Sequence, residues 1–344
     1  MSGTYKVAVI SGERKLEVVE KDLKKPEGRQ VLVKIQACAI CTLEQRIYAG
    51  SMKRYPFAGG HEMAGYVVEV GEKVSNIKPG DKVAMRMLTA CGECYYCRSG
   101  HENQCLISFK AATHEGLNGP GGFSEYMMVD STMVYKFSDD IDYKYAALTE
   151  PLACCVHSVK NANIQLSNDV VVIGVGIMGA FHIMLAKLCG ARVIACEIDN
   201  DRLELAKKLG ADIVINTKET DGIEEIKSLT EGRGADVVFC TVANATIAAN
   251  SIAMAGKLGR VVFYSSFHPD LPINFNPNSI HYSEIIVTGS VNPGMKDFLT
   301  ASRLLSKKII NPSLIISGEL PFERIEEAFE MALDPKTFRI IVKM

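Results

Sequence analysis

The sequence predicts an α/β protein in which a doubly wound parallel sheet is joined to an antiparallel, barrel-like β domain. Two periodicities and one glycine motif carry that reading. From residue 169 onward apolar strands alternate with helical stretches, and Gly190, Gly210, Gly234 and Gly259 recur at intervals of about 20 to 25 residues, the length of one β-α unit. Residues 6–88 instead carry short strands separated by the turn signals Pro26-Glu27-Gly28 and Pro79-Gly80-Asp81. At the start of the second region, Gly174-Val175-Gly176-Ile177-Met178-Gly179 joins an apolar strand to an apolar helix.

Taken in order, the first region places strands at 7–10, 16–19, 31–38, 63–70 and 83–87. Residues 89–110 are cysteine-rich and cannot be a regular element throughout. Gly116 to Gly122 reads as a loop with four glycines, and Phe123 to Val129 returns to strand-like alternation. From Tyr143 the period becomes helical, with Ala146, Ala147, Leu148 and Leu152 on one side. Six strands follow at 170–173, 192–196, 212–215, 236–240, 260–264 and 285–289, enough for a complete doubly wound sheet. The tail reads as helix 296–307, helix 322–333 and a last strand, 338–342, able to rejoin the N-terminal domain.

A chain of 344 residues with an apolar fraction of 47% suits two domains with ordinary cores. The net charge of −2, with acids and bases interspersed, leaves no footprint for nucleic acid or an anionic membrane. Residues 170–188 are apolar enough to suggest a membrane span, but His182 and Lys187 interrupt them and a second strand follows at once. The first six residues hold no apolar segment of the secretory kind. Eleven cysteines without an export signal point to thiols and metal in place of disulfides, so a soluble cytoplasmic protein is expected.

The glycine turn is the fingerprint of a dinucleotide site on a Rossmann-type sheet. Gly174 permits the tight turn, Gly176 lets a pyrophosphate approach the backbone, and Gly179 lets helix and strand pack closely. The helix start at Ile177 and Met178 offers unpaired N–H groups and a positive dipole end. Glu197, at the end of the next strand, is placed to accept hydrogen bonds from the adenosine ribose, which favours NAD over NADP.

Two sets of residues have the chemistry of metal ligands. Cys91, Cys94, Cys97 and Cys105 place four thiolates within fifteen residues, a set that suits a closed, tetrahedral, structural zinc. An iron–sulfur cluster or reactive surface thiols are the other readings of such a group. The second set is dispersed: Cys41, His61-Glu62 and Glu150. Three mixed ligands with a fourth position open describe a catalytic zinc. From spacing alone a lone buried histidine is more often a core residue, and Cys41 could be apolar filling.

Gly60-His61-Glu62-Met63-Ala64-Gly65, with Val70-Gly71 after it, resembles the zinc signature of the zinc-containing medium-chain alcohol dehydrogenases. The cysteine loop resembles their structural-zinc lobe, and Thr149-Glu150-Pro151-Leu152 resembles the segment supplying the third ligand in the sorbitol and threonine dehydrogenase branches. The likeness runs along essentially the whole chain in family order. It implies a GroES-like catalytic β-barrel domain from residues 1–150 and 292–344, with the zinc lobe at about 89–110, and a Rossmann domain at 151–291. It further implies two zincs per chain, NAD as cofactor, and a homodimer or homotetramer. Cys41, His61 and Glu150 would hold the catalytic zinc, with Glu62 as neighbour and occasional ligand. Arg202 would stand beside Glu197 at the ribose, and Arg339 would contact the pyrophosphate.

The chain departs from the family after the zinc cysteine, reading Cys41-Thr42-Leu43-Glu44. Leu43 removes the hydroxyl that commonly starts a proton relay, and Arg46 stands where many members have histidine. Glu44 can still orient a ligand histidine, and Thr42, Tyr48 or a zinc-bound water chain can serve the proton. The implied activity is hydride transfer between NAD(H) and a secondary alcohol, a polyol or sugar alcohol that Arg46 could select for a phosphate or carboxylate. Oxidation of L-threonine at carbon 3 is the first alternative. A non-catalytic nucleotide-binding protein on a reused dehydrogenase fold is the remote one, and it would be expected to lose catalytic zinc ligands that are all present here.

Overall fold

The computed structural model describes residues 3–108 and 113–344. Residues 109 and 110 of the expected zinc lobe, and the first two residues of the N-terminal segment, lie outside the described residues. The chain divides into two compact units, Met1–Ala153 with Pro293–Met344, and Cys154–Asn292. The sequence reading set these changes at 150/151 and 291/292.

In the second unit, six parallel strands stand in the order Ile213–Asn216, Arg192–Glu197, Asp169–Ile173, Ala235–Cys240, Ala255–Phe263, Ile286–Gly289. Asp169–Ile173 is central and buried at every position, which is why Val170 to Ile173 read as an unbroken apolar run with no polar face. Val170 stands opposite Val193 on one side and Val237 on the other. Strand order reverses between Asp169–Ile173 and Ala235–Cys240, and in sheets of this kind ligands bind beyond the strand ends at that reversal. The glycine turn leaves the first of these strands, and the Thr241 hydroxyl after the second donates to the carbonyl of Ile173 at 2.8 Å. Gly174 has φ +89°, a conformation other residues adopt only with strain. A Cβ on Gly179 would lie 1.9 Å from the Gly174 carbonyl oxygen, so the helix Ile177–Leu188 reaches the strand only because that side chain is missing.

The first unit is a curved mixed sheet in the order Ile316–Pro321, Arg339–Lys343, Gln30–Ala39, Glu62–Val70, Lys82–Met85, Val134–Lys136, with Tyr126–Asp130 also paired to Gln30–Ala39. Its two outermost C-terminal strands are parallel, and Arg339–Lys343 runs antiparallel to Gln30–Ala39 with Val342 opposite Cys38. The tail therefore does rejoin the N-terminal region. Phe329, Ile340 and Val342 share one apolar core with Val31, Ile35, Met63 and Phe123.

Two expectations shift. The strands Thr4–Gly12 and Lys15–Asp22 form a separate two-stranded sheet, linked to the rest by isolated bridges such as Ile10 to Phe57 and by Ala8, Ile10 and Leu16 in the shared core. The strand expected at 123–129 begins only at Tyr126, because Phe123 and Ser124 are occupied in loop contacts. No described helix is long and apolar enough to cross a membrane.

Candidate active site and metal centres

Cys41 is the residue at which strand Gln30–Ala39 gives way to helix Thr42–Tyr48, and it stands at the N-cap of that helix. His61 immediately precedes strand Glu62–Val70, and Glu150 lies in the first turn of helix Thr149–Ala162. Three elements far apart in sequence thus deliver these side chains to one place. Ligand atoms of Cys41, Glu44 and His61 lie within 4.8 Å of one another, as do those of His61, Glu62 and Glu150, with His61 common to both groups.

Glu44, fully buried, accepts from the His61 ring at Nδ1, 2.8 Å away, and from the Gly60 N–H at 3.0 Å. A carboxylate on Nδ1 fixes that nitrogen as the one carrying hydrogen and leaves the Nε2 lone pair for a metal. Burial by itself would lower the His61 pKa, but Glu44 and Cys41 reverse this and hold it well above the ordinary value. The field at this point demands a positive charge, which a divalent cation would supply. Burial and the neighbouring Glu62 raise the Cys41 thiol, against His61 and Arg339, which lower it. A bound cation would reverse that balance, since a coordinating thiol is deprotonated. The donor set fits zinc.

The approach to His61 is held by glycines. Gly60 has φ +93°, and a Cβ there would meet the Phe123 nitrogen at 2.5 Å, while one on Gly122 would meet the Gly60 oxygen at 2.3 Å. The glycine loop noted in the sequence packs against the metal segment, with the Gly122 N–H donating to Gly60 O at 3.0 Å.

Several site residues have partners that the sequence did not suggest. Arg339, expected at a pyrophosphate, is 4% exposed and forms a two-pronged ion pair with Glu62, Nε to Oε2 at 2.9 Å and Nη2 to Oε1 at 2.6 Å. Its Nη2 also reaches Cys41 Sγ at 3.7 Å. Burial would lower the arginine pKa, but Glu62 more than restores it. Tyr48, expected as a proton carrier, donates its hydroxyl to Glu330 at 2.9 Å and is pushed up to about 12 by burial and that carboxylate. Glu44 lies entirely beneath His61 and offers nothing to a substrate. Thr42 is exposed, and Leu43 packs against the core.

The four-cysteine group is compact. Cys91 and Cys97 sulfurs are 3.9 Å apart, and those of Cys94 and Cys105 are 4.0 Å apart. Tetrahedral zinc with Zn–S near 2.3 Å puts its sulfurs roughly 3.8 Å apart, so the spacing fits. Backbone N–H groups support the charge: Cys94 N–H donates to Cys91 Sγ, and Cys91 N–H to Cys105 Sγ, both at 3.3 Å. The backbone around Cys97 and Leu106 pulls the Cys94 thiol down to about 6, whereas Cys97 is pushed up to about 12 by burial and its fellow thiols. Without a cation the four cannot all be charged.

At the glycine turn, Gly176 caps helix Ile177–Leu188 without a side-chain partner, leaving the first-turn N–H groups of Ile177, Met178 and Gly179 to a ligand. Glu197 accepts from the Val175 N–H at 2.8 Å and from the Ile198 N–H at 2.7 Å, so its carboxylate is pinned to the turn. The Arg202 guanidinium lies 3.8 Å from where a Gly176 Cβ would be.

Residues 27–139 match the alcohol dehydrogenase GroES-like domain, and residues 174–307 match the zinc-binding dehydrogenase domain. Over 331 residues the chain is 31% identical to the D-arabitol-phosphate dehydrogenase of Enterococcus avium, covering 94% of this chain and 92% of that one.

The chain belongs to the zinc-binding medium-chain alcohol dehydrogenases.

This dehydrogenase is also 35% identical over 333 residues to the L-threonine 3-dehydrogenase of Pyrococcus abyssi, at 94% of each chain. Solved structures sharing its fold hold NADH or NADP. An alcohol dehydrogenase from E. coli CFT073 solved with NADH matches it with TM-score 0.89 and 26% identity over 99% of each chain.

Among the other histidines, His114 meets the Tyr5 hydroxyl at 3.0 Å, and buried His182 bonds Ser158 and the Met178 carbonyl. Tyr5 and Ser158 lie 109 and 24 positions away, so neither side-chain partner has a local signal. Of the cysteines outside the two metal groups, Cys38, Cys155, Cys196 and Cys240 are buried, while Cys154 and Cys189 are only partly so.

The two metal groups predict separable losses. Metal analysis of the purified dehydrogenase is expected to give two zincs per chain. Cys94→Ala should release one and lower thermal stability, since a structural zinc contributes directly to folding. Cys41→Ala should release the other and leave a folded, NADH-binding, inactive protein. One zinc in the wild type, or identical unfolding of both variants, would refute the division.

Proposed function

We propose that this dehydrogenase oxidises a secondary hydroxyl of a polyol or sugar alcohol with NAD, at zinc held by Cys41, His61 and Glu150. The observation that carries it is the dispersed ligand group with Glu44 behind His61 Nδ1. When bound, zinc supplies Lewis acidity at the substrate oxygen and the nicotinamide takes the hydride. The chain's own residues do the rest. Glu44 keeps the imidazole oriented, and the Glu62–Arg339 pair holds a balanced charge beside Cys41. Thr42, exposed at the start of the helix, remains the hydroxyl available to pass a proton, since Tyr48 is engaged by Glu330. The relatives' names divide between polyol, polyol phosphate and threonine substrates. L-Threonine is the second reading, favoured by the relatives of 35% identity.

Glu197 sets the cofactor. Its carboxylate stands where NADP would place a 2′-phosphate, and two charges about 4 Å apart at an effective dielectric of ~20 repel by roughly 4 kcal/mol. Solvent reduces this, so kcat/KM with NAD is expected to exceed that with NADP by about a hundredfold. Glu197→Ala is expected to narrow the gap, and equal use of both cofactors by the wild type would end the idea.

We also infer a homo-oligomer. Strand Ile286–Gly289 is hydrogen-bonded on one side only, and Leu258, Phe275, Tyr282 and Ile286 are exposed along that edge region. An open apolar edge is a template for a second copy. The free state of all eleven cysteines suits a reducing, cytoplasmic setting. Light scattering should give a multiple of 37.6 kDa, whereas a particle of that single mass would refute association.

For the substrate, kcat/KM with a polyol is expected to exceed that with 2-propanol by two or more orders of magnitude, because a polar site leaves groups unpaired around a simple alcohol. Turnover of 2-propanol with none of any polyol would refute this, and selective turnover of L-threonine would establish the second reading.

A further inference from the structure

The chain leaves the metal group at Cys41 and returns to it at His61, so residues 42–60 form an excursion anchored at both ends on that group. Its charge is lopsided. It holds three cations, Arg46, Lys53 and Arg54, and one carboxylate, Glu44, which is buried under His61. Arg46 is half-buried, yet among the described residues its side chain makes no hydrogen bond or ion pair. Lys53 and Arg54 are exposed and likewise unpaired among the described residues. Of the nearby acids, Glu330 is held by Tyr48 and Arg14, and Glu13 lies against Gly50.

Helix geometry directs Arg46 to the metal end. Arg46 is four residues from Thr42 and shares its outer face, and helical side chains lean toward the N-terminus. That lean carries the guanidinium toward Thr42 and Cys41, which lies roughly 7.5 Å away along the axis at 1.5 Å per residue. A five- or six-carbon polyol spans such a distance. The Ser51 hydroxyl and Met52 N–H both donate to the Arg46 carbonyl, at 3.0 and 3.1 Å, so the loop folds back there just before Lys53 and Arg54.

We propose that Arg46, backed by Lys53 and Arg54, binds a phosphate at the end of the substrate distant from the oxidised carbon, making the preferred substrate a phosphorylated sugar alcohol. This rests on the polyol reading above. Three unpaired cations suit a group carrying nearly two negative charges better than a carboxylate carrying one, and guanidinium matches phosphate oxygens two at a time.

The test uses the zinc-loaded full chain with NAD, comparing D-arabitol and xylitol with their 5-phosphates, and including L-threonine. The phosphate esters are expected to show kcat/KM about a hundredfold higher, mostly through KM, with inorganic phosphate competing against them. Arg46→Ala should cut the ester-to-parent ratio by about 10- to 100-fold, the loss expected for a charge-assisted contact. Arg46→Lys should recover part of it. Equal kcat/KM for ester and parent overturns the proposal, as does an unchanged ratio in Arg46→Ala, or a variant whose only change is a higher KM for NAD. If the wild type oxidises neither form of any polyol, it is the polyol reading that fails. Calorimetric titration with inorganic phosphate then decides this site: binding lost in Arg46→Ala supports it, and no binding to the wild type overturns it.

Discussion

Glu62 and Arg339 are 277 positions apart and almost wholly excluded from water, and much of the first unit depends on their meeting. Removing two charges from solvent costs several kcal/mol per ion, recovered only when geometry is good and the remaining donors and acceptors are used. Here both carboxylate oxygens face guanidinium nitrogens, and a third contact goes to Cys41. Glu62 and Arg339 each stand first in their strands, so the pair fixes where the closing strand begins. That strand in turn aligns Ile341 with Ala39, and the Ile40 N–H donates to Ile340 O at 3.0 Å, one residue before Cys41. The chain's last strand thus helps position Cys41, the first residue of the candidate metal group. Loss of either partner would leave a buried charge uncompensated, at about 3–5 kcal/mol, and would alter the charge balance around Cys41 as well.

Helix Thr42–Tyr48 is short, and its side chains serve different neighbours. Glu44 goes under His61, Ile47 into the core, and Tyr48 against Phe329, with ring centres 5.0 Å apart. Thr42 and Arg46 are left on the outer face. Replacement of the usual hydroxyl by Leu43 is compatible with this, because Leu43 packs on the core. A seven-residue helix is marginal alone. Its three buried side chains give it the tertiary anchoring that leaves Thr42 and Arg46 out of the packing.

Sequence alone reveals features encoded by local spacing. The glycine turn, the alternation of strand and helix, and the four clustered cysteines each lie within a short window, and the parallel sheet follows from them. The dispersed ligands were different: nothing in the spacing of Cys41, His61 and Glu150 distinguishes them from core residues, and only likeness to a family singled them out. Least legible were long-range polar partners. Tyr48 and Glu330 are 282 positions apart, and Arg339, at the start of the strand Arg339–Lys343, gives no hint that it faces Glu62. The separate hairpin of Thr4–Gly12 and Lys15–Asp22 has the same alternation as the strands of the main sheet, so pattern could not tell them apart.

The acid beside the glycine turn, Glu197, has a structural part of its own. Glu197 holds Val175 inside the glycine motif through one oxygen and Ile198 through the other. Two residues on, Asp199 caps helix Asn200–Lys208 by accepting from the Arg202 N–H at 3.1 Å. Each carboxylate is therefore fixed by backbone donors on the segment beside the glycine turn. A hydrogen-bonded carboxylate cannot swing aside to relieve repulsion from a 2′-phosphate without giving up bonds that shape the turn. On the proposed reading of Glu197, cofactor selectivity is coupled to the conformation of the glycine motif, and a neutral residue at 197 would relax both together.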